Sequence, residues 1–151
     1  MAVWLVALTG CGSSGTRQEE VAERGAQVMP FDLEATTHRF VALPNGLEQI
    51  VVADDPADSE QVRLIREHLE AEQHRFQRGD YADPAHIHGS DMPGLATLED
   101  RAGEVDIVFS EWIDGGRLIF STTEPQLVEA LHAWGRAQVT DHGAHAEHGD
   151  P

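Results

Sequence analysis

The sequence predicts an α+β domain: duplicated ββα units whose hairpins form a four-stranded antiparallel sheet, with two main helices packed on one face. Three observations predict it. An Asn-Gly turn and an Asp-Gly turn each sit between runs of strand-forming residues. Each hairpin is followed by a stretch with apolar residues at helical spacing. The two hairpins also align without a gap, His38-Arg39-Phe40 to Asn45-Gly46 matching Ile107-Val108-Phe109 to Asp114-Gly115, although no single register matches both helices.

The elements follow in order. Residues 36–42 read as a strand, and Pro44-Asn45-Gly46 as a turn in which Asn-Gly supplies the positive φ angles of type I′. Residues 47–53 return, and Asp54-Asp55-Pro56 ends the hairpin. Asp58 or Ser59 caps a helix reaching about Arg78, with Val62, Ile65, Leu69 and Phe76 on one face and Gly79 as the stop. Residues 79–93, with Pro84 and Pro93, read as a loop, and 95–101 as a short helix. Residues 104–112 form a strand that places Val105, Ile107 and Phe109 on one face. Asp114-Gly115-Gly116 turns it, and 117–122 return. Glu124-Pro125 opens the last helix, which carries Leu127, Leu131 and Trp134 to about Thr140.

The 151 residues suffice for one domain with a real core. A net charge of −17, with arginine as the sole strong base, repels phosphate backbones and excludes a nucleic-acid partner. At the front, a short apolar run from Ala2 to Leu8 precedes Leu8-Thr9-Gly10-Cys11, a pattern that resembles the lipobox of bacterial lipoproteins. The basic residues that open such a signal peptide are missing, which an upstream start codon would explain. The expected organisation is a signal peptide over 1–10, lipidation at Cys11, a flexible tether over 11–28, one domain over 29–141 and a His-rich acidic tail over 142–151. The protein would then sit at the periplasmic or extracellular face of a membrane, bound to it through the lipid alone.

Nine histidines carry the functional reading, because five fall in two short stretches. His86-Ile87-His88 would turn both rings to one side if extended, and Met92 follows four residues later. Imidazole with thioether suits copper; a histidine and carboxylate set suits zinc. Met92 fits a place in the core equally well. His142, His145 and His148 recur at every third residue, either as metal ligands or as part of a solvated tail. His68 with Glu72 one turn later forms an i, i+4 pair flanking the apolar stripe of the first helix. His38 takes the place of the inward Ile107 in the half-repeat, so it is either a hydrogen-bonded core residue or a pocket residue. The expected metal ligands are His68, His86, His88, Met92, His142 and His145, with His38 and Glu72 as possible pocket residues. The two clusters meet if both helices end at the same side of the domain.

No nucleophile elbow, phosphate loop or zinc-protease motif is present. The leading expectation is an anchored copper- or zinc-binding protein for sequestration or delivery. The alternatives are an accessory lipoprotein that holds a protein partner at the cell envelope, and a haem-binding or histidine-dependent enzyme.

Thr37-His38-Arg39-Phe40, Val52-Ala53-Asp54-Asp55-Pro56, Asp83-Pro84, Ile87-His88-Gly89, Met92-Pro93-Gly94-Leu95 and Asp141-His142-Gly143-Ala144-His145 resemble a family of small secreted or lipid-anchored bacterial proteins of unestablished role. Such sequences are sometimes labelled aspartate carbamoyltransferase. This chain lacks the Ser-Thr-Arg-Thr phosphate motif of that enzyme's catalytic subunit and, with one cysteine, the four zinc cysteines of its regulatory subunit. The resemblance implies a compact domain with a histidine-bearing face and no particular activity.

Overall fold

Both hairpins form, and they join through their second strands. In the computed structural model, which describes residues 13–149, the strands are β1 (Thr36–Leu43), β2 (Gly46–Ala53), β3 (Asp106–Trp112), β4 (Gly115–Ser121) and β5 (Ala146–His148). The helices are α1 (Ser13–Val28), α2 (Ser59–Phe76), α3 (Ala82–His88), α4 (Leu95–Asp100) and α5 (Pro125–His142). The α+β class holds, but the sheet has five strands in the order β3-β4-β2-β1-β5 and is mixed, because β5 runs parallel to β1. Without β5 the outer side of β1 would be an open edge of unpaired backbone groups. The chain leaving α5 covers it, pairing His38 with Ala146 and Phe40 with His148.

The half-repeat is visible in the strand register. A 69-residue step relates His38 to Ile107, Phe40 to Phe109 and Gly46 to Gly115. In the central β2–β4 pair, Gln49 lies opposite Leu118, its own counterpart under that step, with Glu48 opposite Ile119 and Ile50 opposite Arg117. A local twofold axis therefore passes between Gln49 and Leu118. The glycines obey it too. A Cβ on Gly46 would lie 1.8 Å from the carbonyl oxygen of Phe120, and one on Gly115 would lie 1.9 Å from that of Val51. Each glycine is required by the close approach of the neighbouring strand.

This corrects the turn expected from the sequence. The loops are Pro44-Asn45 and Ile113-Asp114, closed by the pairs Leu43–Gly46 and Trp112–Gly115, and no non-glycine residue has positive φ among those described. Gly46 is a strand residue rather than a turn residue. Proline fixes φ at the first loop position without any left-handed residue.

α2 and α5 cover one face of the sheet, α2 over β3 and β4 and α5 over β1 and β2. The Asp58 side chain caps α2 by accepting from the Gln61 amide, and Pro125 stands at the start of α5. Val51, Ile65, Ile107, Leu118, Phe120, Leu127 and Trp134 fill the space between, all almost fully buried. Phe76 stacks on Tyr81, and Trp134 meets both edge-on.

Three segments depart from the expected layout. The stretch taken as a tether is helical from Ser13 onward, and α1 lies against α3 and α5. Its hold is mostly polar: Arg17 reaches Asp141 and the His88 carbonyl, Gln18 the Thr140 carbonyl, and Arg24 the Ile87 carbonyl. The loop after Gly79 contains α3, since a proline in the first turn, here Pro84, forfeits no helical hydrogen bond. The supposed tail is structured as the end of α5, a 3-10 turn over Gly143–His145, and β5.

Candidate functional site

The apolar stripes of the two main helices each give way to polar residues where they point at the same place. On α5 the buried series Leu127, Leu131 and Trp134 continues at helical spacing into Gln138 and Asp141, both 5% exposed. On α2 the series Ile65, Leu69 and Phe76 is interrupted by Glu72, also 5% exposed. On the sheet, His38 and Gln49 occupy positions whose twofold counterparts, Ile107 and Leu118, are fully buried apolar residues. One half of the pseudo-repeat has thus exchanged core packing for polar groups.

All of these groups except Asp141 line one narrow cavity of about 40 Å³. Its walls include His38, Gln49, His68, Glu72, His88, Trp134, Gln138 and His142. Three rings converge there: His142 lies 4.9 Å from His38 and 4.9 Å from His88, centroid to centroid. Each comes from a different element, β1, the end of α3 and the end of α5. Phe31 separates this trio from His68, packing edge-on against His68 at 5.6 Å and lying 6.4 Å from His38.

Asp141 fixes one of the three. His88 donates Nδ1–H to Asp141 Oδ2 at 3.0 Å, which leaves the lone pair on Nε2. Arg17 clamps the same carboxylate through two nitrogens, at 2.6 and 2.7 Å. Burial pushes the Asp141 carboxyl up, but the hydrogen bonds from Arg17 and His88 outweigh it and hold it below its ordinary value.

Burial is also the main reason that the imidazoles stay neutral. It lowers His38 and His68 to about 4 and takes His142 well below its usual value, with repulsion from neighbouring histidines adding to it at His38 and His142. His88 is lowered by burial in spite of Asp141. Glu72 is pushed up to about 7 by burial, against its ion pair with Arg75 at 2.9 Å. Three of the lining residues carry a buried polar atom without a partner: His38 Nε2, Gln49 Oε1 and Trp134 Nε1.

A second, open groove of about 320 Å³ lies outside His38 and His142, between α1 and the turn after α5. His145 lines it, 3.6 Å from Glu34. His38 and His142 therefore stand between groove and cavity.

The expected ligands are only partly brought together. His88 and His142 meet, and His38 joins them. His145 lies in the outer groove, and His68 and Glu72 line the inner cavity. His86 is exposed, because α3 is helical and residues two apart on a helix point to nearly opposite sides. The shared H-x-H face is thus overturned by the helix. Met92 is 4% exposed within the hydrophobic core and does not line the cavity, so the thioether joins the core rather than the histidines. His132 binds neither cluster and donates Nε2–H towards the carbonyls of Leu43 and Gly46, securing the first hairpin.

Among the described residues no three His, Cys, Asp or Glu side chains are already disposed as a metal would require. Two of the three ring pairs, His38–His142 and His88–His142, have the spacing of imidazoles that share one zinc, roughly 5 Å between centroids. No helix among the described residues is long and apolar enough to cross a membrane, and Cys11 lies outside them. No protein-family model, curated protein or solved structure matches the chain.

Proposed function

We propose that the protein is a transition-metal-binding domain with His38, His88 and His142 as ligands, attached to the cell envelope through a lipid on Cys11. The observation that carries it is the convergence of three neutral imidazoles, one of them oriented by a carboxylate through its far nitrogen. Metal ligation requires neutral imidazole, and a carboxylate behind a ligating histidine fixes its tautomer and raises its basicity. The buried, unbonded His38 Nε2 would gain a partner in the ion.

Imidazoles without sulfur suit zinc or copper(II) better than copper(I). The ion enters from the outer groove, past His145. A macrocycle has no room in 40 Å³, which disfavours haem held by these histidines. A partner-binding role has less support: on the described surface Val108 and Ile113 are the large apolar residues left exposed, and they do not make a broad patch.

Calorimetric titration of the protein with zinc and copper(II) at neutral pH tests the reading. One equivalent should bind with a dissociation constant below about 1 µM, and His142→Ala should abolish it. Binding weaker than micromolar, or unchanged in that variant, refutes it.

A further inference from the structure

We infer that the metal held by this trio keeps one coordination position open towards the inner cavity, where it takes an exchangeable polar molecule of one to three heavy atoms. The inference rests on the metal reading above. Three imidazoles leave the fourth position of a tetrahedral ion unfilled. The carboxylates at hand are held elsewhere: Asp141 by Arg17 and His88, and Glu72 and Asp83, which line the cavity, by Arg75.

The cavity wall is built for a guest. Trp134 Nε1 is a buried donor without an acceptor, and Gln49 Oε1 a buried acceptor without a donor. Both line the space that the three histidines also line. A buried polar group left unpaired is destabilising. The fold does not need the second of them, since the position across the local twofold from Gln49 is filled by Leu118. A molecule bearing an adjacent donor and acceptor would satisfy both.

Size sets the class. About 40 Å³ admits roughly two to four water-sized atoms. Water, hydroxide or a molecule the size of hydrogen peroxide fits; an amino acid or a five-membered ring does not. The groove outside His38 and His142, at about 320 Å³, would admit either. A metal opening inward is therefore distinguished from one opening outward by the size of the ligands it accepts.

The full chain loaded with cobalt(II) reports this directly through its visible spectrum. Millimolar azide, with three heavy atoms, should change the spectrum saturably, and imidazole at the same concentration should not. Trp134→Phe, checked for folding by circular dichroism, should weaken azide by about tenfold while cobalt still binds. Failure to take up cobalt overturns the metal reading and this inference with it. Uptake with a spectrum indifferent to azide, or equally responsive to imidazole, overturns the inference alone.

Discussion

Replacing His38 with isoleucine, the residue at its twofold counterpart, should make the protein markedly less sensitive to acid. In the folded state His38 titrates at about 4, because burial and the neighbouring histidines oppose its charge. In the unfolded chain it titrates near 6.5. The folded value is depressed, so below pH 6.5 the unfolded state binds a proton that the folded state refuses. The stability contribution is whole above pH 6.5 and falls as the pH drops towards 4. At pH 5 the loss amounts to about 2 kcal/mol, and at pH 7 it is close to zero. Glu72, raised to about 7, works in the opposite direction, gaining stability as the pH falls below 7. It is present in both proteins and cancels in the comparison. His38→Ile also removes the unbonded Nε2, which should stabilise the metal-free protein at every pH by about 1–3 kcal/mol. Urea unfolding of both proteins with chelator present, from pH 8 to pH 5, measures the difference. The gap should widen by about 2 kcal/mol on acidification. A gap that is constant with pH would show that His38 ionises as freely in the fold as outside it.

Other substitutions separate packing from ligation. Met92→Ala should cost about 2–5 kcal/mol of stability, and His86→Ala almost nothing, while metal affinity measured by calorimetry stays as in the parent for both. Arg17→Ala takes one of two partners from the buried Asp141 and the main polar tie from α1; a loss of roughly 1–3 kcal/mol is expected by urea unfolding, with faster proteolysis within residues 13–28. Gly46→Ala sets a methyl group against the Phe120 carbonyl, so melting should fall by more than 10 °C or soluble protein be lost, corresponding to at least about 3 kcal/mol.

The parts of the fold legible in the sequence are those set by local periodicity. The two strand pairs and the helices over Ser59–Phe76 and Pro125–His142 follow from alternation, caps and apolar spacing. What misled was chemistry with two uses. Glycine after Asn45 signals a left-handed turn, but here it admits the backbone of β4. Pro84 signals a loop, but it sits in a helical first turn. β5 has three residues, too few for any periodic signal, and its formation depends on the exposed edge of β1.

The site was legible to the same degree. His38 stood out because its repeat partner is isoleucine. His142 and His88 were found as members of clusters, but the sequence could not show that α3 turns His86 away or that Met92 enters the core. Asp141, Gln138 and Gln49 are not among the site residues that the sequence reading names, although a signal for them exists. Gln138 and Asp141 continue the stripe of Leu127, Leu131 and Trp134, and Gln49 takes the place of Leu118. A polar residue at a position that periodicity assigns to the core marks the site better than the number of histidines does.

X-ray absorption of the zinc- or copper-loaded protein addresses the central claim most directly. Three imidazole ligands are expected, with nitrogen at ~2.0 Å and no sulfur scatterer, and one imidazole should be lost in His142→Ala. A sulfur shell, or a ligand set unchanged by that substitution, would contradict the account.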